Sequence, residues 1–103
     1  MKLSMVIPTY NEKENITSVI RQLDDALKGI PHELIVVDDN SPDGTAAAAD
    51  QCALTRPVKV IVRKKERGLG SAIIAGFRQS EGDVVGVIDA DLQHPPGVVP
   101  DHS

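Results

Sequence analysis

Tryptophan is absent from this 103-residue chain, phenylalanine and tyrosine occur once each, and the single cysteine is Cys52. One thiol excludes an internal disulfide framework and any multi-cysteine zinc site. It fits a reducing cytoplasm, with Cys52 itself read as a small core hydrophobe. So few aromatics leave the core to aliphatic side chains. They also make Tyr10 the better candidate for stacking on a flat ligand, because Phe77 falls on a predicted core stripe. Long apolar runs are lacking too. No stretch approaches the roughly 18 to 20 residues of a membrane-spanning helix, and Pro8 cuts the N-terminal apolar run too short for a signal peptide. Any membrane contact is expected to be peripheral, or to reside in sequence outside the chain. Positive charge is in deficit: eleven Lys and Arg face fifteen Asp and Glu, a formal net charge of −4. That balance offers no electrostatic footprint for a nucleic acid. The length allows one small domain with a single core and is short for an enzyme that must hold two substrates.

Four β-branched apolar runs, at residues 3–7, 34–37, 58–62 and 84–88, predict strands. Between the first two, Ile16, Val19, Ile20, Leu23 and Leu27 recur every three or four positions and predict an amphipathic helix. Asn11 and Glu14 suggest a capping box at its start, and Gly29 and Pro31 mark its end. A second, alanine-rich helix is predicted over 45–54 with Ser41 or Asp43 as cap, although its apolar face is weak. A third is predicted over 69–80, with Leu69, Ala72, Ile73, Gly76 and Phe77 on one stripe and Gly82 after the end. Strands alternating with helices, without hairpin signals, predict an α/β fold: a Rossmann-like, mostly parallel sheet flanked by helices on both faces. The tail from His94 to Ser103 reads as the entry to a fourth helix that is not completed, so residues 1–103 are read as one truncated domain.

In an open parallel sheet, ligands bind beyond the carboxyl ends of the strands. Four polar loops, at 8–12, 38–44, 64–70 and 89–94, fall there. Asp89 and Asp91 can turn two carboxylates toward one hard cation, magnesium or manganese, and Gln93 can add an amide oxygen. Such a cation would bridge the phosphates of a nucleoside-diphosphate sugar and stabilise the departing diphosphate. An Asp-x-Asp triplet alone also fits solvated turn acids; the preceding strand and the neighbouring loops favour the metal. Strand alternation points Asp38 and Asp39 apart, so one should face the site and accept hydrogen bonds from a base or ribose; the alternative is that both are helix-cap and turn acids. The third loop carries Lys64, Lys65 and Arg67 before Gly68 and Gly70. Its backbone amides could approach phosphate at a helix start, with Arg67 or Lys65 assisting, or it could be a solvated basic turn. No complete dinucleotide fingerprint or phosphate-binding loop occurs. His32, His94 and His102 are scattered and read as non-catalytic, with His94 adjoining the metal loop.

The runs VIPTYNEKENI, ELIVVDDNSPDGT, VIVRKKERGLGSAIIAGF and GDVVGVIDADLQHPP occur in this order over nearly the whole chain. The chain resembles the family 2 glycosyltransferases of GT-A fold, most closely the polyprenyl-phosphate (dolichol-phosphate) mannosyltransferases. The resemblance implies metal-dependent transfer of mannose from GDP-mannose to a polyprenyl phosphate, with inversion. It implies that Pro8, Tyr10 and Glu12 line the nucleoside pocket, with Val37 and Asp39 on its other wall. Asp89 and Asp91 would be the catalytic, metal-holding acids with Gln93, and Ala90 would contribute backbone to the donor. Arg67 and Gly68 match a donor-site loop. The residues that bind the lipid phosphate in that family lie past Ser103, so the chain alone is expected not to transfer sugar and to leave a sheet edge prone to self-association.

Relatives that use UDP-glucose keep the donor base open. A non-catalytic nucleotide-binding or interaction module is the reading from another class. A phosphoacceptor receiver domain would need its acids in another strand order, and a sugar-nucleotide pyrophosphorylase would need a glycine-rich basic loop where PTYNE stands. The expected location is the cytoplasm or the cytoplasmic face of a membrane.

Overall fold

The computed structural model describes residues 1–64 and 69–88. Strand β1 (Leu3–Thr9) places Met5 and Ile7 in one apolar cluster and Val6 in another, as the period-two alternation of a two-sided strand requires. Helix α1 (Lys13–Ala26), strand β2 (His32–Asp38), helix α2 (Thr45–Cys52), strand β3 (Val58–Val62), helix α3 (Leu69–Gln79) and strand β4 (Val84–Val87) follow. All described pairings are parallel, in the order β3-β2-β1-β4. The α/β architecture expected from the sequence is therefore present.

Two apolar layers hold it. On one face Ile16, Val19 and Ile20 of α1 and Ala49 of α2 pack against Ile7, Leu34 and Val36. On the other, Ala72 of α3 packs against Val6, Ile35 and Val37. Ile7, Ile16, Ile20, Leu34, Ile35, Val6, Val36 and Val37 are completely buried. Each such side chain stabilises the fold by about 1.5–3 kcal/mol relative to exposure.

Three local expectations are corrected. Asn11 does not cap α1: its backbone is left-handed (φ 55°), the cap position is Glu12, and no side chain of that residue bonds the helix end. The loop after β2 and the first residue of α2 supply the missing acceptors, because Ser41 Oγ, Thr45 Oγ1 and Asp43 Oδ2 accept the N–H groups of Asn11, Glu12 and Lys13 at 2.8, 3.0 and 3.2 Å. The second helix stops at Cys52, short of the predicted 54, and Leu54 is exposed. At its start Gly44 takes the cap position in a left-handed conformation (φ 93°), while Asp43 Oδ1 accepts the Thr45 N–H at 3.0 Å. Phe77 is not a core residue, being 46% exposed. Helix α3 turns its small residues Ala72 and Gly76 to the sheet, and a Cβ on Gly76 would overlap the Val6 methyl groups. An approach that close leaves the neighbouring Phe77 outside.

At the amino ends of the strands, buried Glu33 organises the turn into β4. Its Oε2 accepts from Ser4 Oγ and from the Glu81 N–H, each at 2.6 Å. The Lys59 ammonium lies 3.1 Å from its Oε1 as an ion pair outside hydrogen-bonding geometry. Desolvation opposes the charge of this carboxylate, but the hydrogen bonds from Ser4 and the Glu81 amide and the nearby Lys59 ammonium outweigh it and lower its pKa.

Candidate functional site

Strand order reverses at β1: successive strands proceed from it to β2 and β3 on one side, and then to β4 on the other. Helices on opposite faces leave a crevice at such a switch point, at the carboxyl ends of the strands. Pro8 marks it. In β1, even-numbered residues direct their backbone groups toward β4, as the Ile88 N–H to Val6 carbonyl bond (3.0 Å) shows. Odd-numbered ones face β2, as in the Asp39 N–H to Thr9 carbonyl bond (3.1 Å). Proline has no N–H, so β1 offers no ladder donor to the β4 side at Pro8. The described β1–β4 register accordingly ends at Val6, whereas β1 and β2 stay paired to Thr9 and Asp38.

The adjacent acids after β2 divide as alternation requires. Asp38 is completely buried and serves the turn: its carboxylate accepts from Thr9 Oγ1 (2.8 Å), Ser41 Oγ (2.6 Å) and the Ser41 N–H (2.8 Å). Asp39 lies on the α3 face, with its side chain 16% exposed. There its Oδ1 accepts from Arg63 Nε at 2.8 Å and lies 2.6 Å from Arg63 Nη2. Arg63 is itself only 8% exposed and donates from Nη1 to Ser71 Oγ at 2.7 Å. Arg63 directly precedes the basic residues Lys64, Lys65 and Arg67 that stand out in the sequence, and it is not among the site residues expected from it. The available signal was the strand period, since Arg63 follows Val62 just as Asp39 follows the paired Asp38.

Among the other site candidates, Tyr10 is 46% exposed at the rim. Pro8 and Glu12 are half-buried, and Glu12 Oε1 accepts from Asn15 Nδ2 at 3.2 Å. Val37 is completely buried in the α3-side cluster. Arg67, Gly68, Asp89, Ala90, Asp91 and Gln93, with Lys65 and His94, lie outside the described residues. Among the described residues, no group of three or more His, Cys, Asp and Glu side chains could hold a metal ion. Nor is any helix among them long and apolar enough to cross a membrane.

His32 is the first residue of β2, paired with Leu3 at the opposite end of the strand from Asp38. It pairs there with Asp24 at 2.6 Å, beside a cavity of about 440 Å³ that Lys28 and Arg56 also line.

The sequence model of the family described as "Glycosyl transferase family 2" matches residues 4–102. A dolichol-phosphate mannosyltransferase of Pyrococcus furiosus is 54% identical over 100 residues, spanning 97% of this chain and 28% of that protein. An undecaprenyl-phosphate 4-deoxy-4-formamido-L-arabinose transferase of Pseudomonas fluorescens is 38% identical over 102 residues, 95% of this chain and 30% of the relative. Among solved structures, a mannosyltransferase of Pyrobaculum calidifontis in complex with GDP-Man and Mn2+ superposes with a TM-score of 0.74 at 29% identity, covering 86% of this chain and 27% of that one. The chain thus spans under a third of the length of each of these three proteins. With the motifs, the parallel order and the crevice in agreement, the chain belongs to glycosyl transferase family 2.

Proposed function

We propose that residues 1–103 form the donor-binding part of an inverting, metal-dependent glycosyltransferase that takes GDP-mannose as donor and a polyprenyl phosphate as acceptor. The observation that supports the reading is the partly exposed Asp39 carboxylate at the carboxyl end of β2, whose N–H bonds the Thr9 carbonyl of β1, with the exposed Tyr10 ring next along β1. A carboxylate there accepts hydrogen bonds from a nucleobase or ribose, and the ring offers a face to the base. The polyprenyl phosphate class is supported by the names of the two sequence relatives, and the mannose donor by the first of them and by the solved structure.

Asp89, Asp91 and Gln93 would hold the cation, with Ala90 beside them and Arg67 and Gly68 on the donor loop. Two carboxylates and an amide oxygen are a hard donor set suited to magnesium or manganese. In sequence they follow Ile88, whose N–H bonds the Val6 carbonyl of β1. When bound, the cation supplies charge stabilisation for the diphosphate leaving group. The remaining work is positioning: a phosphate acceptor is already ionised at neutral pH and needs no general base, so alignment of donor and acceptor controls the rate. This reading places the protein at the cytoplasmic face of a membrane, held peripherally.

Calorimetric titration of the chain with GDP, with and without manganese, tests the proposal. Manganese should tighten GDP binding by about tenfold or more, and Asp91→Ala should abolish that enhancement. Equal affinity with and without manganese, or an Asp91→Ala chain that keeps the enhancement, would overturn it. A UDP titration distinguishes a uridine-nucleotide donor, the alternative left open by relatives of different donor sugar.

A further inference from the structure

We propose that Arg63 is a positioning residue for the donor nucleobase: it holds the Asp39 carboxylate in one orientation at the crevice and ties that orientation to the first turn of α3 through Ser71. The inference rests on the donor-binding reading above and extends it to the selection of the base.

The backbone brings the pair together. Asp38 and Val62 are the last register partners of β2 and β3, and the Arg63 N–H continues the ladder with a 2.8 Å bond to the Asp38 carbonyl. One step further along, Asp39 and Arg63 are cross-strand neighbours on the α3 face. There the guanidinium sends Nε and Nη2 to the same oxygen, Asp39 Oδ1, and Nη1 to Ser71 Oγ. Among the described residues, three nitrogens of one rigid plane thus meet Asp39 and Ser71, a geometry that a lysine ammonium cannot reproduce.

Burial makes the arrangement informative. Taking an arginine to 8% exposure carries a desolvation cost that an apolar residue at this position would avoid, so fold stability alone is a poor account of it. What the pair provides is preorganisation: a carboxylate whose direction is set before the ligand arrives. Direction matters for base choice. Guanine and uracil present an imino N–H at the edge where adenine presents a bare acceptor nitrogen, and a fixed carboxylate accepts from the former and repels the latter. A site built around such a bond rejects ligands that lack the donor. A carboxylate free to rotate would keep its charge and lose much of that discrimination.

The experiment is calorimetric titration of the manganese-loaded chain with GDP and with ADP, for the parent, Arg63→Lys, Ser71→Ala, Asp39→Asn and the Arg63→Lys/Asp39→Asn double variant. Circular dichroism monitors folding. The parent should prefer GDP. Arg63→Lys should weaken GDP binding by about tenfold while changing ADP binding less than about twofold, so the preference shrinks. In the Asp39→Asn background the same substitution should leave the preference unchanged, because the residue acts through Asp39. A folded Arg63→Lys chain with the parental GDP/ADP ratio, or with equal losses for both nucleotides as a purely structural role would give, overturns the proposal. Should Arg63→Lys fail to fold, Ser71→Ala decides: a reduced GDP preference supports the proposal, and the parental preference overturns it. A parent that binds no nucleotide overturns the donor-binding reading and this inference with it, whereas selective GDP binding that survives both variants removes the inference alone.

Discussion

Gly76 and Gly86 show how single atoms set the spacing of the layers. A Cβ at Gly76 would run into both methyl groups of Val6, a completely buried residue of β1, whereas a Cβ at Gly86 would meet Met5 Sδ at 2.8 Å. The valine is branched and locked in place between sheet and helix, while the methionine is unbranched and can swing aside. Gly76→Ala should therefore destabilise the chain by about 1–3 kcal/mol through overpacking, in spite of the roughly 1 kcal/mol that alanine gains in helix propensity. Gly86→Ala should cost clearly less. Urea denaturation of the two variants against the parent measures both, and a Gly76→Ala chain as stable as the parent would refute the close α3–β1 contact. The same contact explains why Phe77 was misread. Periodicity placed it on the apolar stripe, but the stripe's smallest members decide which side of α3 meets the sheet.

At the scale of elements, the start of α1 depends on a loop roughly thirty residues away rather than on its own cap. Thr45 is completely buried, accepts the Glu12 N–H through Oγ1 and donates the same hydroxyl to Asp43. Asp43 in turn accepts the Lys13 N–H, and hydrogen bonding from Thr45 together with these amides lowers its pKa. Thr45→Val keeps the shape and leaves the Glu12 N–H without its acceptor, which should cost about 1–3 kcal/mol. Amide hydrogen exchange of the first α1 turn should accelerate more than that of the α3 core; uniform acceleration would indicate general destabilisation instead. This lacing separates what was legible from what was not. Strand runs and the α1 stripe were readable because local period reports burial directly, as Leu34 to Val37 and Ile16, Val19 and Ile20 show. Asn11 is not the cap because capping-box spacing is a local signal, whereas the acceptors Ser41, Asp43 and Thr45 come from the loop after β2 and the start of α2. For the site, alternation correctly split Asp38 from Asp39, yet it could not reveal that Arg63 spans to Ser71, a contact made only when α3 docks.

The molecule has two polar poles, the crevice at one and a charged clasp at the other, and the second carries its pH response. His32 Nδ1 lies 2.6 Å from the Ile30 carbonyl oxygen, and Nε2 lies 2.6 Å from Asp24 Oδ1. Both partners are acceptors, and a neutral imidazole has one N–H, so both contacts together require the imidazolium. Desolvation opposes that charge, but the hydrogen bonds to Ile30 and Asp24 and the nearby carboxylate outweigh it and raise the His32 pKa. Asp24 is lowered by its bond to His32 first, and then by Arg56, whose Nη1 donates to Asp24 Oδ2 at 2.7 Å. Asp25, Lys28 and Arg56 face this pair from α1 and from the turns before β2 and β3, and Lys2, Glu33, Lys59 and Glu81 line the adjoining cavity. Because the folded pKa of His32 lies above its unfolded value, its contribution is complete below an unfolded pKa of about 6.5 and disappears as pH rises through the folded value. Asp24 has the opposite sign: its contribution is present above the unfolded value and disappears as pH falls through the lowered folded one. Lys59, raised from an ordinary value of 10.5, stays charged throughout that interval. Stability measured by urea denaturation should therefore decline in the parent as pH rises above about 6.5, and His32→Gln should flatten that decline. Asp24→Asn should flatten it too and also weaken the loss on the acid side, since it removes the partner that makes both shifts. A parental slope that persists in His32→Gln would place the titrating group elsewhere and refute the imidazolium clasp.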